Sequence, residues 1–165
     1  MTTNSSSPYR VLFVCWGNIC RSPAAECVFR SFVEKEGLSD RISCDSAGTI
    51  DQHHGNPPDR RMKEAAGRRN IVVEGAARMV TPPDFDRFDL LLAMDNVNLS
   101  ELRFLVPNPD LAHKIHPFCD YLAEHVDTQI PDPFYGGARG FEIVLDLLED
   151  GCGNLLTFIR NQIGV

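Results

Sequence analysis

The sequence predicts an α/β fold: a single domain in three layers, with a parallel sheet carrying helices on both faces. Three observations lead there. A chain of 165 residues with 43% apolar content can bury one core, and no repeat, low-complexity core or linker divides it. Strand-like segments near 10–15, 41–45, 88–94 and 113–116 alternate with helical patterns near 22–36, 58–69, 96–105 and 138–163. Such alternation implies right-handed βαβ crossovers, with helices covering both faces of the sheet. Finally, the apolar run Val11-Leu12-Phe13-Val14 ends at Cys15 in a short loop that opens onto Pro23-Ala24-Ala25-Glu26, so a strand turns directly into a helix.

The elements follow in order. The run before Cys15 is the first strand; Ser22 suits an N-cap and Pro23 the first helical turn, which starts the first helix. Leu90-Leu91-Leu92-Ala93 carries the third strand. In the last helix Val144, Leu148, Cys152, Leu155 and Ile159 recur at three- and four-residue steps, a stripe expected to pack on the sheet, while Gly151 and Gly153 weaken the helix. Residues 1–8, Met1-Thr2-Thr3-Asn4-Ser5-Ser6-Ser7-Pro8, are polar and read as a disordered tail ahead of a domain at 9–165, not as a signal peptide. The longest apolar runs are strand-sized, so no membrane partner is expected and a cytoplasmic location follows. A net charge of −7, from 16 basic and 23 acidic residues, argues against a nucleic-acid groove. Six cysteines in such a chain argue for reduced thiols over a disulfide framework, with Cys27, Cys44 and Cys152 as core positions.

The loop Cys15-Trp16-Gly17-Asn18-Ile19-Cys20-Arg21-Ser22 points to phosphate chemistry. A cysteine followed six positions later by an arginine is weak alone, with about half a match expected by chance. The context supplies the specificity. Five residues between Cys15 and Arg21 suffice to curl backbone N–H groups around a tetrahedral anion, and Gly17 and Asn18 tolerate the positive φ that such a nest needs. The following helix directs its dipole and free N–H groups at the loop, favouring a thiolate at Cys15. Arg21 offers a planar fork of donors for two equatorial phosphate oxygens.

These residues resemble the signature loop of the low-molecular-weight protein tyrosine phosphatases, and the likeness covers nearly the whole chain. Asp45-Ser46-Ala47-Gly48-Thr49, Asn56-Pro57-Pro58-Asp59, Met94-Asp95 and Asp132-Pro133-Phe134-Tyr135-Gly136 recur in that family's order. The resemblance implies a four-stranded sheet in the order 2-1-3-4. It implies Cys15 as nucleophile, Arg21 as phosphate-binding arginine and Asp132 as the acid that protonates the leaving group and then activates water. Trp16, Gly17, Asn18, Ile19, Cys20, Ser22 and Ser46 would bind phosphate or brace the loop. Cys20 would form a reversible disulfide with Cys15, and no cofactor or metal would be needed. Pro131 and Pro133 would stiffen the acid loop.

Trp16, Phe134 and Tyr135 could wall a cleft in which a phenyl ring, but not a phosphoserine side chain, reaches the thiolate. Many relatives place an aromatic residue where Gln52 stands, and here His53 or His54 could form that wall or attract phosphate when protonated. Eukaryotic relatives brace the loop asparagine with a histidine where the best alignment puts Gly75; Arg78 matches a family position. The partner expected is a phosphotyrosine-containing protein, met by a monomer. Two alternatives share the fold. A protein-arginine phosphatase carries a small polar Thr where this chain has Ile19; an arsenate reductase needs relay cysteines that Asp89–Asn96 lacks, leaving only Cys119 or Cys152. A catalytically dead phosphate-binding module would have lost Cys15, Arg21 or Asp132. His113-x-x-His116-x-x-Cys119, with His125, has ligand-like spacing, but Pro117 interrupts it and Ile115 and Phe118 read as core, so packing is preferred to a metal.

Overall fold

The computed structural model describes residues 7–165, so most of the expected tail, residues 1–6, lies outside the described residues. Strand β1 (Tyr9–Cys15) leads into helix α1 (Arg21–Lys35), strand β2 (Ile42–Gly48), helices α2 (Arg60–Gly67) and α3 (Pro82–Arg87), and strand β3 (Leu90–Ala93). Helix α4 (Asn96–Leu105), strand β4 (Ile115–Pro117) and helix α5 (Ala138–Ile163) follow, with 3₁₀ turns at Pro109–Lys114 and Phe118–Tyr121. All strand pairs are parallel and the order is β2-β1-β3-β4, as the resemblance implied.

The two-residue period of a strand divides the core. Along β1, Val11 and Phe13 face a layer built by α1, α2 and α5, whereas Leu12 and Val14 face α3 and α4. Both faces are therefore apolar, and β1 reads as an unbroken hydrophobic run from Val11 to Cys15. Phe13 anchors the first layer, with its ring edge-on to Phe29 of α1 at 5.6 Å and to Phe118 at 6.2 Å. The α5 stripe of Val144, Leu148, Cys152, Leu155 and Ile159 is fully buried there.

Some boundaries differ from the expected ones for identifiable reasons. Asn108 accepts from the Asp110 N–H and Pro109 starts a 3₁₀ turn, so β4 begins only at Ile115. Asp59 caps α2 through the Arg61 N–H, one residue after Pro58. Helix α3, hidden in Pro82-Pro83-Asp84, was not expected; Asp84 starts it by accepting from the Thr81 N–H at 2.7 Å. Gly151 also has a different meaning. A Cβ at that position would collide with the Phe118 ring, whereas Gly153 faces open space.

The two glycines should therefore separate in urea denaturation. Gly151→Ala is expected to destabilise by about 1–3 kcal/mol through overpacking against Phe118. Gly153→Ala is expected to stabilise by about 0.5–1 kcal/mol through helix propensity.

Candidate active site

Three strands end at one edge of the sheet: β1 delivers Cys15, β2 delivers Gly48, and Met94-Asp95 follows β3. The loop after β1 is pinned to β2, because Thr49 N–H donates to the carbonyls of Cys15 (3.1 Å) and Trp16 (2.9 Å) and Ile50 N–H to that of Trp16 (3.2 Å). Gly48 makes this approach possible, since a Cβ there would lie 2.6 Å from the Trp16 carbonyl oxygen.

Asn18 sets the curl of the loop. Its φ of 56° is left-handed, a conformation that asparagine accepts more readily than most residues. Its side chain makes the turn rigid: Nδ2 donates to Ser22 Oγ at 2.8 Å, and Oδ1 accepts from the Arg78 N–H at 3.0 Å. Gly17 lacks a positive φ; its missing Cβ instead makes room for the His53 ring, which would otherwise lie 2.8 Å away.

Ser22 does not cap the helix. Helix α1 starts at Arg21 with Cys20 in the cap position and no side-chain cap bond, while Ser22 Oγ lies 2.9 Å from Cys15 Sγ and 3.3 Å from the Ala47 carbonyl. Asn18 occupies an acceptor site of the hydroxyl, whose single proton is shared between the Cys15 sulfur and the Ala47 carbonyl. Among the described residues none accepts from the backbone N–H of Gly17, Asn18, Ile19, Cys20 or Arg21. These donors and the start of α1 form an anion nest.

Arg21 is buried beside this nest. Its Nη1 donates to Asp95 Oδ2 at 2.7 Å and to the Ile130 carbonyl at 3.0 Å, while Nη2 lies 3.6 Å from Asp132 Oδ2. Burial works against the charge, but Cys15, Asp95 and Asp132 outweigh it and raise the arginine above its usual value. Asp95 also caps α4 by accepting from the Asn98 N–H, and Ile130 is tied back by donating to the Met94 carbonyl at 2.7 Å. Sequence reasoning placed Met94-Asp95 in the pattern but gave Asp95 no role; its position at a strand end before a helix was the available signal.

Cys15, Trp16, Gly17, Ile19, Cys20, Arg21, Gln52, His53, Asp132, Phe134 and Tyr135 line a single cleft of about 200 Å³. A cavity of about 150 Å³ holds a benzene ring, so this cleft admits a phenyl group. His54 is not part of the lining; it is exposed, 3.5 Å from Asp51. Ser46 borders the same small cavity as Asn18, and its hydroxyl donates to Glu26 Oε1 at 2.7 Å, with Glu26 projecting from α1 against β2. Beside Asn18, Gly75 adopts a φ of +128° and borders a small cavity, so here the backbone of Arg78, not a side chain at residue 75, holds the asparagine.

Burial and the neighbouring Cys15 push the Cys20 thiol up. All six cysteines are unpaired. His113 and His116 engage backbone carbonyls of Asp110 and His113, and His125 engages Asp150; no set of three or more potential ligands gathers among the described residues.

Known proteins resemble this chain in sequence and fold. The pattern of the low molecular weight phosphotyrosine protein phosphatases matches residues 10–164. The chain belongs to that family. A Synechocystis relative, named as a candidate low molecular weight protein-tyrosine-phosphatase, is 49% identical over 154 residues, 93% of this chain and 98% of its own. A crystal structure of protein tyrosine phosphatase from Entamoeba histolytica superposes with a TM-score of 0.89 at 42% identity, covering 94% of this chain and 98% of that one. The Drosophila arginine phosphatase superposes with a TM-score of 0.85 at 33% identity, covering 91% and 97%.

Within this family member, Arg78 supports the loop from below. Its guanidinium bridges Asp45 (3.1 Å) and Asp84 (2.9 Å) while its N–H holds Asn18. Burial would raise the Asp84 carboxyl, but the bonds from Arg78 and Thr81 outweigh it and hold it below its usual range. A carboxyl depressed on folding stabilises above its ordinary range, and that contribution is lost as pH falls through the folded-state value. Asp84→Asn is thus expected to cost about 2 kcal/mol near neutral pH. Urea denaturation at a series of pH values should show the gap to the wild type closing on acidification.

Proposed function

We propose that this chain hydrolyses phosphotyrosine on proteins through a phosphocysteine intermediate. The observation that carries this reading is the Cys15 sulfur, 2.9 Å from Ser22 Oγ, at the base of a ring of uncommitted N–H groups that Arg21 and Asp132 complete. In the first step the Cys15 thiolate attacks phosphorus in line with the departing phenolic oxygen. The loop N–H groups and the free side of the Arg21 guanidinium hold the equatorial oxygens. Asp95 and Ile130 hold Nη1, so the arginine is oriented before substrate arrives. Asp132, in its protonated form, gives its proton to the tyrosine oxygen as the P–O bond breaks. In the second step the resulting carboxylate takes a proton from water, the hydroxide attacks phosphorus, and the thiolate leaves.

The cleft walls favour an aromatic ester. Trp16 and Phe134 flank it, and apolar Ile19 offers no polar partner to a phosphoarginine guanidinium. A thiol relay for arsenate is disfavoured as well: Asp89–Asn96 has no cysteine, and Cys152 is fully buried in α5. Six unpaired cysteines suit a reducing cytoplasm, and no helix of the described residues is long and apolar enough to cross a membrane. Cys20 borders the same cleft as Cys15. Condensation of its thiol with a sulfenic acid formed by peroxide on Cys15 would release water and give a disulfide that thiols reverse.

Phosphate release from a phosphotyrosyl peptide tests the assignment. The wild type is expected to turn over without added metal, Cys15→Ser to be inactive, and Asp132→Ala to be slower by about 10²–10⁴-fold. Faster turnover of a phosphoarginyl peptide would overturn the tyrosine assignment. After brief peroxide treatment, activity recoverable by thiol is expected in the wild type and largely lost in Cys20→Ser.

A further inference from the structure

Asp132 lies on the loop between Ile130 and α5, outside regular structure. Its own Oδ1 accepts from the Phe134 N–H at 3.1 Å, which couples the carboxylate to Phe134, while Oδ2 meets the phosphate loop only through the longer 3.6 Å approach to Arg21 Nη2. Arg61, in the first turn of α2, reaches Phe134. The guanidinium carbon stands 5.4 Å from the Phe134 ring centroid and 4.8 Å from that of Phe141, a ring fully buried in α5. A planar guanidinium can stack on both rings at once, as the point charge of a lysine cannot.

The other side of Arg61 is fixed by Asp59. Nη2 lies 3.0 Å from Oδ2, Nε lies 3.3 Å from Oδ1, and the Arg61 N–H donates to Oδ1 at 2.8 Å. Asp59 in turn belongs to the phosphate loop's surroundings, because its N–H donates to the Ile19 carbonyl at 2.6 Å. A continuous series of contacts thus runs from Ile19 through Asp59, Arg61 and Phe134 to Asp132. An exposed ion pair alone would contribute little; this one is placed so that each of its ends holds a different catalytic loop.

We propose that Arg61 is a positioning residue for the general acid, setting the Asp132 loop against the phosphate loop without touching substrate. The inference rests on the assignment of Asp132 as the acid. Its readout is dependence on the leaving group, which a merely structural role would not move. Phenolate needs a proton to depart, whereas dinitrophenolate leaves nearly as well without one.

For Arg61→Ala, kcat/KM for phenyl phosphate is expected to fall about tenfold, part of what a general acid supplies, with dinitrophenyl phosphate within about twofold of wild type. Arg61→Lys keeps a charge for Asp59 but loses the double stack, so it is expected to show the same selective loss; it also serves if the alanine variant folds poorly. In an Asp132→Ala background, Arg61→Ala should add nothing. Equal losses for both substrates, full activity in Arg61→Lys, or an additive loss in the Asp132→Ala background would each overturn the proposal. If Asp132→Ala alone slowed both esters equally, the acid assignment would fall and the positioning role with it, a result distinct from the others.

Discussion

The left-handed turn at Asn18 is the constraint on which the site depends. A residue in this conformation turns the chain three residues after β1, and a left-handed residue within such a run is what a nest of successive N–H groups requires. The cost of placing a side chain there is offset by two bonds, one to Ser22 and one from Arg78. Through Ser22 the turn reaches the Cys15 sulfur. Through Arg78 it reaches Asp45 on β2 and Asp84 at the start of α3, so a short loop is supported by charged groups on two elements and on the segment between α2 and α3.

Electrostatics in the site are local. The chain carries a net charge of −7, which would repel a phosphorylated partner at long range. Binding must therefore come from groups within a few ångströms: backbone N–H donors, the start of α1 and one buried arginine. Cys15, Asp95 and Asp132 outweigh the burial of that arginine, and the two carboxylates differ in place. Asp95 caps α4 and holds Nη1 at 2.7 Å, whereas Asp132 is more exposed and stands 3.6 Å from Nη2 at the open side of the cleft. One carboxylate is fixed in the scaffold; the other faces the cleft.

Much of this was legible in the sequence because the relevant signals are local. Strand, loop and helix around Cys15 announce themselves within a dozen residues, and the spacing of β1 to β4 with their helices is enough for the layer order. What was not legible depends on partners far apart in the chain. Local pattern alone makes Ser22 a helix cap, and only the family resemblance pointed to the bracing contacts with Cys15 and Asn18 that its hydroxyl makes. Ser46 matches a bracing position, and its partner Glu26 lies on a different element, α1. Gly151 resembles a helix defect until Phe118 is seen against it. Helix α3 is short and proline-rich, and its role is visible only when Asp84 is seen to hold Arg78. Of the two adjacent histidines, sequence could not choose; Gly17 decides in favour of His53 by leaving room for its ring.

The most direct test of the account is to locate the phosphoryl group during turnover. Wild-type enzyme mixed with excess aryl phosphate, acid-quenched within the first turnovers and mapped by peptide mass spectrometry, is predicted to carry one phosphoryl group on Cys15. A phosphoryl group on any other residue, or none under quench conditions in which phosphocysteine survives, would contradict the central claim that this loop presents Cys15 as the nucleophile.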